Sequence, residues 1–296
     1  MIENALLFLD AIGFLLDKEQ LPGDWDSASW QAQEADFRNK AFFSAKVENA
    51  RFLDRAQAAL FDDMAKVMET ITLQDGTTTT ALRTSGRAHF VQQMQDFMVA
   101  EGMTTEDEFR DVNPNNIRDI RSSARLRLIF DTNTRQAFGY GQWKQGMTPA
   151  ALSAFPAARL IRVRGVKEPR PRHQAAIGEV LLKTDPRWAE FHNAKEIGGF
   201  GVPWGPYGFN SGVSQEPVSR SEARKLGLEV GQGDSNDDAK ITDGVYAHVA
   251  KMSPEMKAKL VAELRAGQKN LDIEAIGRGE SGAKIIDDGD RISLVR

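Results

Sequence analysis

Residues 125–143 read Arg-Leu-Arg-Leu-Ile-Phe-Asp-Thr-Asn-Thr-Arg-Gln-Ala-Phe-Gly-Tyr-Gly-Gln-Trp. Apolar side chains recur here at three- and four-residue steps, the period of a helix with one buried side. Upstream, Asn113-Pro114 carries a helix-start signal: an Asn cap followed by Pro at the first helical position. Together they predict a helix from Asn113 to about Gln145. Its broad side holds Ile117, Ile120, Ala124, Leu128, Asp131, Arg135 and Phe138, and Arg118, Arg121 and Arg125 form a basic stripe. Gly139, Gly141 and Gly146 weaken its last turns.

Downstream the period changes. Residues 157–166 alternate Leu160, Ile161 and Val163 with Arg159, Arg162 and Arg164, and predict a strand; residues 179–183 predict a second, shorter one. Gly and Pro are too frequent over residues 198–212 for regular structure, which predicts a long ordered loop. Residues 219–228 then read as a short helix, with a capping box (Ser219 and Glu222) and Gly227 near its end.

The first half is helical in pattern. Residues 3–17 read as a helix, ended by Leu21-Pro22-Gly23-Asp24. It lacks the basic start of a secretory signal and is short for a membrane span. A long helix is predicted from about Gln31 to Ile71, with Phe37, Ala41, Ala45, Phe52, Ala56, Leu60, Met64, Val67 and Ile71 on one face. A helix over residues 85–100 carries Phe90, Met94, Phe97 and Met98. Beyond Glu229 the composition turns to Gly, Asp, Asn and Ser, as in a linker. One helix is expected near residues 254–266, and a hairpin over 283–296 turning at Asp288-Gly289. The expected fold is α+β: a helical N-terminal region (1–112), a compact core with a few short strands (113–228), and a linker with a small C-terminal appendage (229–296).

Charge is unevenly spread over the 296 residues, whose formal net charge is −4. Residues 110–172 hold 13 Lys/Arg against 4 Asp/Glu, leaving 25 and 38 for the rest. A basic segment of this kind attracts phosphate polymers without base specificity, unless its arginines pair with acids of the same molecule. Arg118, Arg121, Arg125, Arg164, Arg170, Arg172 and His173 are the candidate phosphate contacts.

With no Cys, disulfides, thiolate catalysis and Cys-held zinc are excluded. His173 and His192 flank Glu179, Asp185 and Glu190, but no ligand spacing such as HExxH is present. Asp234 to Lys240 begins like a calcium loop, yet Ala239 and Val245 stand where the turn Gly and bidentate Glu belong. No metal and no cofactor are expected. A metal-independent RNase- or toxin-like site would need His, Arg and carboxylate side chains, which Arg164, Arg170, Arg172, His173 and Glu179 supply in type.

The ordered set of motifs resembles the Mu F family of phage head morphogenesis, or minor head, proteins. The set comprises the Asp131-Thr-Asn133-Thr-Arg135 helix, the Arg-rich strand, and the turn Arg170-Pro171-Arg172-His173. It continues with the strand Gly178–Leu181, Asp185-Pro186-Arg187-Trp188, and a Pro/aromatic loop through Asn210 that leads to the Ser219 helix. It covers about residues 120–228. Many family members end the loop in Gly-Cys-Arg-Cys; here Phe209-Asn210-Ser211-Gly212 stands there, so no role of those cysteines transfers. The resemblance marks Asp131, Asn133, Arg135, Asp185, Trp188 and Asn210 as the motif core. It implies a non-enzymatic minor capsid protein, inside the virion and in host cytoplasm during assembly. The implied partners are the portal and other head or scaffold proteins, with double-stranded DNA as a further candidate and no membrane. The alternative is the RNase- or toxin-like enzyme centred on His173.

Overall fold

The computed structural model describes residues 10–64, 68–72, 78–82 and 86–230. Beyond these it describes strand residues 246–248, 284–287 and 291–295 and helical positions 254, 257, 258, 261 and 262. The architecture is α+β. The chain is helical over residues 10–16 (α1), with Ala11, Ile12, Leu15 and Leu16 buried. Strand β1 (Glu19–Gln20) then pairs in parallel with β2 (Ala41–Phe42) across two short helices, α2 (Ser27–Ala32) and α3 (Ala35–Asn39). Asp26 caps α2, accepting the Ser29 amide at 2.7 Å.

The long helix expected from Gln31 to Ile71 is therefore broken. Its backbone leaves the helix to pair Ala41 and Phe42 with Glu19 and Gln20. It then turns through Lys46, which sits at φ 60°. Phe37 is 43% exposed and so does not share the buried face. Only α4 (Ala50–Met64) carries that pattern through. Asn49 caps it by accepting the Phe52 amide at 3.1 Å, and Phe52, Leu53, Ala56, Leu60, Phe61 and Met64 are buried. Strands β3 (Met68–Thr72) and β4 (Thr78–Leu82) form an antiparallel pair.

Helix α5 (Gly86–Ala100) packs on α4 and buries Phe90, Val91, Met94 and Met98, so its methionines are core. A full capping box, Thr105 with Glu108, starts α6 (Glu106–Arg110). Helix α7 (Ser123–Gly146) begins ten residues later than expected, with Ser122 Oγ accepting the Arg125 amide. The reason lies in three side chains ahead of it. Asn113 accepts the amide of Asn115, Asn116 that of Arg118, and Asp119 that of Arg121, each at 2.9–3.1 Å. Such local bonds offer the backbone an alternative to the helix. Arg118 and Arg121 thus stand on turns, and the expected helical stripe with Arg125 does not form.

Leu126, Ile129 and Ala137 of α7 join the buried cluster of α1, α4 and α5, which therefore draws on both sides of residue 113. Each fully buried Leu, Phe or Met of this cluster stabilises the fold by ~1.5–3 kcal/mol. Helix α8 (Pro149–Ala154) leads to β5 (Ala157–Arg162). Next come α9 (Pro171–Ala176), β6 (Val180–Leu182), β7 (Val213–Val218) and α10 (Arg220–Lys225). The sheet order is β6-β5-β7, antiparallel throughout. Strand β7 was not anticipated; it holds Glu216 and Pro217 on an edge, where a missing amide is tolerated. Ser219 caps α10 by accepting the Glu222 amide, but the Glu222 carboxylate pairs with Arg159 instead of closing the box. In the last part β8 (Tyr246–His248), β9 (Lys284–Asp287) and β10 (Arg291–Val295) form one sheet, with β10 central. The strands of the expected hairpin pair as predicted, Ile292 opposite Asp287. Its turn at Asp288-Gly289, the segment Asp234–Lys240 and residues 3–9 lie outside the described residues.

Helix α7 crosses the loop after residue 198 at Gly139. A Cβ there would meet the Gly205 carbonyl oxygen at 1.8 Å. Beside it Phe14 stacks on Tyr140 (ring centroids 4.7 Å), and Trp204 packs against Tyr140 and Trp143 at 5.1 and 5.0 Å. Gly139 is a contact residue and not a weak point of the helix. Gly139→Ala is expected to cost about 2 kcal/mol or more through overpacking. Gly146→Ala meets only the flexible end of Lys183, at 3.3 Å, and is expected to be neutral or slightly stabilising. Urea unfolding of the two variants checks the contrast.

Candidate functional site

The long loop has no ladder of its own, and side chains hold it. Asn193 is fully buried. Its amide donates to the Val202 and Trp204 carbonyls (2.8 and 3.0 Å) and its oxygen accepts the Phe200 amide (2.8 Å). Arg170 reaches in from the turn before α9, donating from Nε to Ile197 O (2.6 Å) and from Nη2 to Phe209 O (2.9 Å). From the other side Arg38 of α3 donates to Phe200 O at 3.1 Å. Trp188 and Tyr207 fill the space beneath, together with Leu160, Leu181 and Val213.

His173 lies under the same loop and is fully buried. Its Nε2 stands 2.6 Å from the His192 carbonyl oxygen, which requires the tautomer protonated at Nε2. His192 is also fully buried; its Nε2 lies 3.2 Å from Glu179 Oε2, without the alignment of a hydrogen bond. Burial pushes both histidines below the usual imidazole value; a bond to the His192 backbone opposes this for His173, and Glu179 opposes it for His192. Arg187 pairs with Asp185 at 2.8 Å and Glu179 at 3.1 Å, holding Asp185 below the usual carboxylate range. Arg172 lies on the Phe191 ring (4.6 Å) and donates to Phe191 O. His173 therefore serves as a strut, and its ring has no solvent-exposed edge to offer a phosphodiester.

A second grouping is open. Helix α7, the end of β5 and the loop at 206–213 enclose a cleft of about 180 Å³. Asp131 and Arg135 line it from the helix, Arg164 from the strand end, and Asn210 from the loop, with Phe200 and Phe209 as apolar wall. The carbonyl of Gly212 accepts the amides of Val163 and Arg164 at 3.0 and 3.2 Å, which fixes where Arg164 departs. Gly212 has φ +67°, and a Cβ there would reach the Arg164 carbonyl oxygen at 2.6 Å, so only glycine fits. Asn210, at φ 54°, accepts from Arg164 Nη2 at 3.4 Å. Arg87 of α5 pairs with Asp131 at 2.7 Å, and Arg135 Nη2 lies 3.7 Å from the other Asp131 oxygen. Burial lowers the Arg135 value; Asp131 opposes this, and the Arg164 and Arg87 charges add to it.

The sequence-predicted residues thus separate. Asp131, Arg135, Arg164 and Asn210 come together at the cleft. Asn133 is buried and bonds back to the Ile129 carbonyl (2.9 Å); Trp188 is buried with Nε1 on Leu182 O; Asp185 caps its own turn. Arg125 donates to Ser44 Oγ and Ala45 O (2.8 and 2.9 Å), and Arg121 pairs with Asp119. Arg118 is exposed, with no side-chain partner among the described residues. Sequence reasoning missed Asn193 and Arg87. Neither stands in a recognisable motif; only a loop needing buried amide donors pointed to the first. Among the described residues no three His, Asp or Glu side chains are placed to hold a metal ion, and no described helix is long and apolar enough to cross a membrane.

Compared with known proteins, the chain is similar to the "Putative capsid assembly protein F" of Escherichia phage Mu, 27% identical over 207 residues, or 70% of this chain. The chain spans about 40% of the length of that relative. The resemblance to the Mu F family carried by the ordered motifs is thereby matched by a curated sequence. No family model and no solved structure matches the chain.

Removing the loop's central clamp leaves buried carbonyls and an amide unmade. Asn193→Ala is expected to destabilise by ~3 kcal/mol or more, read as a lower denaturation midpoint. Both buried histidines are held neutral, so the unfolded chain binds more protons once pH falls below about 6.5. Stability is fully present above that pH and is lost as pH falls from there toward the lower folded values. Thermal unfolding between pH 7.5 and pH 5, roughly spanning the histidine range, is expected to show a falling Tm. The slope should flatten in His192→Gln.

Proposed function

We propose that this protein acts in phage head assembly, as a non-enzymatic minor capsid protein of a tailed phage or prophage. One observation carries the reading: similarity over 70% of the chain to a protein described as a phage Mu capsid assembly protein. The site geometry favours it over the RNase-like alternative, because His173 is a buried strut on the His192 carbonyl. The proposal keeps three parts: a helical region (1–112) that meets the portal or other head proteins, a docking core (113–228), and a C-terminal appendage (229–296). The working place is the capsid interior, reached from host cytoplasm during assembly.

Direct contact with packaged DNA is the finer part of the proposal. It rests on fewer cations than the sequence counts. Arg121, Arg125, Arg170 and Arg172 are engaged within the molecule. Arg118, exposed on its turn, carries the contact, whereas Arg164 lines the cleft; each neutralised phosphate adds to the salt dependence of binding.

Co-expression with the portal and major head proteins of the same phage is expected to place the chain in procapsids. Procapsids that form without loss when it is absent, and that never contain it when present, would refute the assembly role. Retention on duplex DNA at low salt should fall in Arg118→Ala. Arg125→Ala should instead lower stability, since it empties a bond to the Ser44 turn. RNA incubated with the protein should stay intact; cleavage that disappears in His173→Ala would favour the enzyme.

A further inference from the structure

The cleft at Asp131, Arg135 and Arg164 holds more positive charge than its own carboxylate answers. Asp131 Oδ1 is occupied by Arg87, through Nε at 2.8 Å and Nη2 at 2.7 Å. Its Oδ2 stands 3.7 Å from Arg135, beyond hydrogen-bond reach. The Arg164 side chain has one bond in the described structure, to Asn210 at 3.4 Å, the far limit of such a bond. Two guanidinium forks thus keep most of their donors unspent while sharing one cleft. Two like charges lining one cleft repel each other. An anion entering between them relieves that repulsion and accepts bidentate bonds from planar donors.

The walls decide what kind of anion. Leu128, Val163, Phe200 and Phe209 line the same cleft. Val163 is 60% exposed and Phe209 37% exposed, so this apolar surface is open at its rim. A free phosphate brings nothing to cover it. A DNA duplex presents its phosphates in rows and is matched by cations strung along a track. Here the cations converge on a space of about 180 Å³.

We propose that this cleft recognises a carboxylate on an apolar stem: an Asp, Glu or terminal carboxylate next to an aromatic or aliphatic side chain, in a segment of a partner protein. Arg135 and Arg164 take the carboxylate, and Phe209 and Val163 cover the apolar neighbour. Arg87 occupies Asp131 Oδ1, so Asp131 answers Arg135 only through its other oxygen, at 3.7 Å. The inference rests on the cleft alone and stands whether or not the protein serves in head assembly.

The minimal probe is N-acetyl-phenylalanine, compared with its uncharged amide, inorganic phosphate and a duplex oligonucleotide, added to the full-length chain. Two-dimensional NMR of the backbone amides of residues 208–213 reads occupancy. The acid is expected to shift these signals at millimolar concentration and to bind at least tenfold more tightly than the amide and than phosphate. Binding should weaken about tenfold in Arg164→Gln and in Arg135→Gln, and severalfold in Phe209→Ala, with the remaining spectrum unchanged. Gln at position 164 preserves a polar partner for Asn210, so that variant keeps its fold. The proposal is overturned if the acid produces no shift, if the amide binds equally, or if both Gln variants bind as the parent does. It is equally overturned if phosphate or the duplex shifts these signals at lower concentration than the acid, which would make the cleft a nucleic-acid contact.

Discussion

Asn193 holds three backbone groups of a loop that can make no ladder of its own. Between Gly198 and Gly212 the chain cannot follow helix or strand, so its buried amides and carbonyls must be answered by side chains. Asn193 answers those of Phe200, Val202 and Trp204 from one fully buried amide. Arg170 and Arg38 answer three further carbonyls from outside. Every other feature of interest hangs on this arrangement. It presents Phe209 and Asn210 to the cleft, seats Tyr207 on Trp188, and brings Gly205 against α7.

The arginines divide along the same line. A guanidinium can serve as a fork for carbonyls, as an ion-pair partner or as an exposed charge, and the fold uses all three. Arg38, Arg125, Arg170 and Arg172 each donate to main-chain oxygens of another segment. Such bonds are directional, so they fix loops that hydrophobic contact alone would leave undefined. The net positive charge of residues 110–172 therefore overstates what a partner meets. Among the described residues of that stretch, forks are left open at Arg118 on its turn, at Arg127 on α7 and at Arg135 and Arg164 in the cleft.

The sequence made the α+β class, the strands over 157–162 and 180–182, and helices α5 and α10 readable, because each depends on local period and capping. The motif order around Asp131, Arg170, Asp185 and Asn210 pointed to the similarity found with a phage Mu capsid assembly protein. Errors came where local side-chain bonds competed with the period. Asn113, Asn116 and Asp119 delay α7 by turning the chain, although Asn113-Pro114 reads as a helix start. The stripe from Phe37 to Ile71 matched helical spacing, yet the backbone of Ala41 and Phe42 found a strand partner twenty-two residues upstream. Strand β7 was hidden by Glu216 and Pro217, which an edge position permits. The cleft was legible only as separate motif residues. Its partner Arg87 lies on α5, and nothing in the sequence brings that residue to Asp131.

Helix α7 belongs to two neighbourhoods at once. Leu126, Ile129 and Ala137 are buried with the helices before it, while Asp131, Arg135 and Gly139 face the cleft and the loop after it. A helix shared in this way couples the unfolding of the two halves: neither can open without stripping an apolar stripe from the other. A cut in the turns near residue 113 would leave the later fragment with that stripe bare and prone to self-association. A gene that exchanged only one half would have to carry α7's buried face across with it.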